Sequence, residues 1–221
     1  MKKISTAILL LLFVAGATAQ YKKASFFEST GRTYGINGKL HAMGDGKGSP
    51  IGINLSFGRD RDGKRVFTFW EFAYVPGYKF TFDSKAYNGN PVTITGKTNP
   101  QISYSYNWGL HLLKNEEEPK KIQPYLTWGL HLLLSGGMKE YDGGNYDSDK
   151  IPADGGFTCG LGGGAGVLYN ITPGFGIKLE GGYTYLTNLS LRNKHDAKEY
   201  YNLYSTHPYV TAGVRFRIWS K

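Results

Sequence analysis

Between Gln101 and Leu113 every second residue is bulky and apolar: Ile102, Tyr104, Tyr106, Trp108, Leu110 and Leu112. The residues between them, Gln101, Ser103, Ser105, Asn107, Gly109 and His111, are polar or small. A period of two places these sets on opposite faces of a β-strand. The stretch from Ile122 to Leu134 repeats the pattern, with Leu126, Trp128, Leu130, Leu132 and Leu134 set against Tyr125, Thr127, Gly129 and His131. Both stretches contain Trp-Gly-Leu-His-Leu-Leu, at 108–113 and again at 128–133. A hairpin turning symmetrically about Glu118 sets Trp108 opposite Trp128, His111 opposite Tyr125 and Ser105 opposite His131, and a slip by one residue would turn one apolar face inward.

The same reading along the rest of the chain yields eight strands: Thr33–Met43, Pro50–Gly58, Val66–Val75, Gln101–Leu113, Ile122–Leu134, Phe157–Asn170, Phe175–Thr187 and Pro208–Trp219. Short connections at 59–65, 114–121 and 171–174 alternate with long ones at 76–100, 135–156 and 188–207; the first connection, Gly44–Ser49, belongs with the long set. The outward faces, for example Tyr34/Ile36/Leu40, Ile51/Ile53/Leu55/Phe57 and Phe175/Ile177/Leu179, then carry no charge. Lys39, Glu71, Lys178, Glu180, Arg215 and Arg217 all take the inward parity. An Arg or Lys on the hydrocarbon face costs about 2–4 kcal/mol at the bilayer midplane, so this sorting is a signature of a membrane wall. The predicted fold is all-β, an eight-stranded antiparallel up-and-down transmembrane β-barrel with short periplasmic turns and long extracellular loops. A secreted β-sandwich is the competing architecture.

Lys2, Lys3, the apolar run Ala7–Ala15 and Ala17-Thr18-Ala19 before Gln20 read as a cleavable signal peptide over residues 1–19, leaving 20–221 as the barrel domain. That run falls short of the roughly 20 residues a spanning helix needs, and no later stretch reaches that length. The lone Cys159 excludes an internal disulfide and offers no lipid-anchoring cysteine at the signal's end. Mean hydropathy is only -0.37, as alternation makes it in a barrel. With 17 Tyr and 31 Gly the chain has the residues that interfacial girdles and crowded lumens use. Net charge is +9, falling to +7 without Lys2 and Lys3. Behind an export signal this argues against nucleic acid, with anionic lipopolysaccharide or surface polymers as better counterparts, though solubility of loops and turns accounts for the charge more simply.

Tyr169-Asn170-Ile171-Thr172-Pro173-Gly174-Phe175-Gly176-Ile177-Lys178-Leu179-Glu180-Gly181-Gly182-Tyr183-Thr184-Tyr185 resembles the last periplasmic hairpin of small outer-membrane barrels of the OmpA/OmpX-like superfamily. Thr211-Ala212-Gly213-Val214-Arg215-Phe216-Arg217-Ile218 resembles their closing strand, and Gln after an Ala-x-Ala site resembles secreted proteins of Bacteroidetes. The resemblance implies a barrel domain in the bacterial outer membrane.

Candidate chemistry is sparse. Glu71 and Glu180 are the only acids assigned to strands, facing Lys39, Lys178, Arg215 and Arg217; the expectation is a salt-bridged plug rather than an ion path. His41, His111 and His131 point inward, but the simplest register puts the last two at different heights, so hydrogen-bonded histidines are expected and no metal site. Gly160, Gly162, Gly164 and Gly166 form an inner row that leaves space for the long Lys and Arg side chains opposite, a groove for an acyl chain or peptide being the alternative. No Ser–His–acid spacing among His131/Ser135, His195/Asp196 and His207/Ser205 makes a triad. Asp142, Asp147, Asp149 and Asp154 suit a solvated loop better than a calcium site. The sequence therefore points to a non-enzymatic barrel without cofactor, set among outer-membrane lipids and lipopolysaccharide, whose extracellular loops meet a surface ligand or a protein partner, or which serves as a subunit of an outer-membrane assembly. A narrow channel or lateral route for a small or apolar solute, and a membrane-embedded lipid hydrolase or acyltransferase, are the alternatives.

Overall fold

A computed structural model describes residues 30–41, 50–61, 64–85, 90–113, 119–135, 138–142, 150–152, 156–191, 199–201 and 206–220. The expected signal peptide, residues 1–19, and the nucleophile–base candidates His195, Asp196 and Ser205 lie outside them, as do Asp147, Asp149 and Asp154. Strands run over β1 (Thr30–His41), β2 (Ile51–Arg61), β3 (Val66–Val75), β4 (Lys79–Lys85), β5 (Pro91–Thr98), β6 (Gln101–His111), β7 (Ile122–Ser135), β8 (Met138–Asp142), β9 (Lys150–Pro152), β10 (Gly156–Thr172), β11 (Phe175–Leu191), β12 (Glu199–Tyr201) and β13 (Thr206–Ser220). Eight of them close into an antiparallel barrel in the order β1-β13-β11-β10-β7-β6-β3-β2. Closure leaves the wall no free edge, which lets a sheet stand in hydrocarbon with every backbone group paired.

The alternation holds around the wall. Ile51, Leu130 and Leu161 are exposed at 64%, 53% and 63%, whereas the intervening Asn54, Gln101 and Gln123 are almost completely buried. A water-soluble barrel would reverse this order. The apolar exterior and polar interior are those of a wall facing lipid. Among the described residues no helix is long and apolar enough to cross a membrane. The β6–β7 hairpin has the register expected from its symmetry, with Trp108 opposite Trp128, His111 opposite Tyr125 and Ser105 opposite His131. Thr30 pairs with both Ser220 and Arg61, so both ends of the wall-forming chain and the short turns share one end, called here the turn end. The long connections lie at the other, the loop end.

Four expectations need correction. First, β2 continues past Gly58 to Arg61, so Asp60 belongs to the wall and points inward, where it is 3% exposed; Glu71 and Glu180 are not the only strand acids. Second, the same lengthening and the earlier start of β1 put Arg32 and Arg59 on the outer face, as direct partners across two strands. Third, Phe175 and Phe216 keep the parity of the outer face but bury each other, with ring centroids 5.2 Å apart and Tyr34 and Val214 packed on them. Fourth, the long connections are not plain loops. β4, β5 and β8 form a three-stranded sheet joining two of them, and β9 pairs with β12, joining the second of these to the last connection.

Candidate functional site: the lumen and its outer mouth

Strand alternation sends Lys39, Asn54, Glu71, Tyr125, Lys178, Glu180 and Tyr209 inward from six different strands, and they meet at the waist of the barrel. Lys39 Nζ lies 3.5 Å from Glu71 Oε1, which also accepts a hydrogen bond from Asn54 Nδ2 at 2.9 Å. Lys178 Nζ is 3.0 Å from Glu180 Oε2. Glu180 further accepts hydrogen bonds from the hydroxyls of Tyr125 at 3.0 Å and Tyr209 at 2.9 Å. Lys39 joins the two halves by sitting over the Tyr209 ring, 4.1 Å from its centroid. Charges this deep are tolerated only when paired and hydrogen-bonded, and removing one member of such a set costs about 3–5 kcal/mol.

A second cluster lies toward the turn end, centred on Asp60. Its carboxylate accepts a short contact from Arg215 and stands 3.4 Å from His111 Nε2, while Arg217 donates to the Asp60 carbonyl at 3.1 Å. Phe67 stacks on His111 with centroids 4.5 Å apart. The six inward charges named from the sequence thus divide between two sites: Lys39, Glu71, Lys178 and Glu180 at the waist, Arg215 and Arg217 around Asp60. Asp60 was missed because Arg59–Arg65 reads as one charged turn. The available signal was its parity with Asn54, Ser56 and Gly58.

Toward the loop end, His41 Nδ1 and His207 Nε2 are 2.7 Å apart, so one ring donates to the other. His131 lines the same recess, with Gln101, Ser103 and Thr184. His111 is not among them, in keeping with the different heights expected. Among the described residues no three His, Cys, Asp or Glu side chains are grouped to hold a metal ion. The recess is roofed by an apolar contact in which Tyr78, just past β3, packs on the buried Leu133 and Leu186. Thr98 N–H donates to the Tyr78 carbonyl at 3.0 Å, and Tyr78 N–H to Thr98 Oγ1 at 3.2 Å, so the base of the β4–β5 hairpin is fastened over the mouth. A Cβ at Gly77 would run into the Thr98 carbonyl, so this close approach needs glycine there.

The glycine row of β10 faces inward as expected, but aromatic and imidazole rings take the space rather than long bases. A Cβ at Gly164 would lie 2.8 Å from the Tyr209 hydroxyl, and one at Gly162 would run into His131. The rings that hold Glu180 need this row to be bare. A recess on the turn side of the waist is lined by Asn37, Phe67, Phe69 and Lys178; no residue lines both it and the recess at the mouth.

No protein-family model and no curated protein matches the chain. Among solved structures it is similar to the N-terminal β-barrel domain of OprF from Pseudomonas aeruginosa, at 14% identity over 86% of this chain and 97% of that one, with a TM-score of 0.48. It is similar to Neisserial surface protein A at 14% identity, over 85% of this chain and 96% of that one, TM-score 0.48. Ail of Yersinia pestis gives 14% identity, 86% and 98% coverage, and a TM-score of 0.44. These are likenesses of fold. The strand closure, the even strand number, the shared end of both termini and the apolar exterior are by themselves those of an outer-membrane β-barrel.

Proposed function

Taking the outer-membrane barrel as premise, we propose that the protein is a non-enzymatic, non-conducting anchor that holds a folded loop platform at the cell surface for recognition. The observation that carries this reading is the sheet β4-β5-β8, built from two separate outer connections and fastened to the barrel mouth through Tyr78. Ordering such connections costs conformational entropy, on the order of 1–2 kcal/mol per residue for the backbone alone. A loop needed only to link two strands has no reason to bear that cost. The occupied waist favours the platform over a solute route, since a barrel of eight strands leaves room only for side chains or one small ligand. Lys79, Asp83, Thr93, Thr95 and Lys97 are exposed on the β4–β5 hairpin, a polar surface suited to polar or charged surface polymers and proteins.

The test is a photoreactive side chain introduced at Thr95 or at Lys97 in cells, with one at lipid-facing Leu130 as reference. A discrete adduct with one polymer or protein from the platform positions, absent from Leu130, is the expected outcome. The same adduct from Leu130, or none from either platform position, would overturn the platform reading.

A further inference from the structure

Arg32 on β1 and Arg59 on β2 are direct Cα partners, and both are exposed on the outer face, in line with the Tyr34–Phe57 pair next along the strands. Like charges directly opposite one another destabilise a strand pair. Among the described residues no ion pair joins a carboxylate to either guanidinium, and Asp60, next in sequence to Arg59, turns inward to Arg215. The two guanidiniums open instead onto an exterior groove whose other walls are Tyr34, Phe57, Trp70 and Tyr106. The groove is aromatic along the strands and cationic at the turn end. Trp70 and Tyr106 line it with ring centroids 4.2 Å apart and planes inclined at 48°, a continuous aromatic bed.

We propose that this groove binds an anionic phospholipid of the periplasm-facing leaflet, its phosphate held between Arg32 and Arg59 and an acyl chain laid along Tyr34, Phe57, Trp70 and Tyr106. Guanidinium binds phosphate oxygens in bidentate fashion, and one phosphodiester between two guanidiniums turns a repulsive pair into two charge-assisted contacts. Lipopolysaccharide is the wrong occupant by position, because the site is at the turn end, with both ends of the wall, while lipopolysaccharide occupies the opposite leaflet. Free phosphate would satisfy the arginines and leave the aromatic bed unused. The proposal rests on the outer-membrane placement but not on the loop platform.

The experiment is native mass spectrometry of the mature chain released from nanodiscs containing phosphatidylglycerol and phosphatidylcholine in equal amounts, compared with Arg32→Gln/Arg59→Gln and with Lys120→Gln/Lys121→Gln, which alters the same end away from the groove. The wild-type chain and the lysine variant should each retain one phosphatidylglycerol, and the arginine variant about tenfold less, each tenfold step being about 1.4 kcal/mol. Inorganic phosphate added in excess should not displace the lipid. Equal retention by all three chains would overturn the site, as would an equal loss in the lysine variant, which would mean unspecific attraction to a basic rim. Trp70→Ala, which keeps both arginines, should also lower retention, and it supplies the reading if the arginine variant does not fold. A chain that entered no nanodisc of any composition would instead overturn the membrane placement.

Discussion

The hexapeptide Trp-Gly-Leu-His-Leu-Leu occurs in two neighbouring strands, and its two copies finish in opposite halves of the barrel. Trp108 and Trp128 face each other; from there the antiparallel strands carry the rest of each copy away from the other. His111 is carried to the turn end, almost fully buried, between Asp60 and the Phe67 ring. His131 is carried to the mouth, half-buried beside His41 and His207. Leu113 is exposed beyond the end of β6, whereas Leu133 is buried under Tyr78. Local sequence decides which face a residue takes, and chain direction decides its depth. Identical side chains therefore do different work: one copy fastens an internal acid, the other helps roof the lumen.

Charge on the outer face should separate the copies most sharply. Leu130→Arg puts a cation near the middle of β7 against hydrocarbon, at about 2–4 kcal/mol, while Leu112→Arg, of the same parity but beyond the end of β6, sits near the interface, at about 0–1 kcal/mol. Folded, heat-modifiable barrel on unboiled gels should be largely lost in the first and kept in the second; equal yields would break the assigned depths. Next in size is the roof. Leu133→Ala should lower stability by about 2–5 kcal/mol in urea unfolding from vesicles, against a change within about 0.5 kcal/mol for Leu113→Ala, because only the former leaves a cavity.

How much of this was legible in the chain follows from the same distinction between face and depth. Face is written in alternation, so the wall, the inward parity of Lys39, Glu71, Lys178, Glu180, Arg215 and Arg217, and the Trp108–Trp128 pairing could be read directly. Depth depends on closure. The His41–His207 contact joins residues 166 apart through the β1–β13 seam, which no local pattern reveals. The two-cluster division of the charges needed Asp60, hidden in a run of charges that looks like a turn. Lys79–Lys85 and Pro91–Thr98 do alternate, with Phe80 and Phe82 in one and Val92 and Ile94 in the other. Their brevity and their Gly, Pro and Asn flanks disguise them as loop.

Smaller effects sharpen the comparison. His111→Leu removes a buried partner of Asp60 and should cost about 1–3 kcal/mol. His131→Leu should cost less, since no hydrogen bond from its ring is described. If the second substitution proved the more damaging, the histidine assigned to the Asp60 cluster would be the wrong one. The register itself is checked by crosslinking: with Cys159→Ser as background, Trp108→Cys/Trp128→Cys should oxidise to a disulfide. Bridging instead between Trp108→Cys and Leu126→Cys or Leu130→Cys would mean a two-residue slip.

The central claim is that the barrel is plugged and serves its loops. Single-channel recording of the purified, folded chain in planar bilayers tests it most directly, because the waist at Glu71 and Glu180 and the roof at Tyr78 and Leu133 lie in series along the barrel axis. The expected trace stays at the leak of bare lipid. Stable open levels that vary with salt, and rise when Glu180→Ala opens the waist, would contradict it and make the protein a channel.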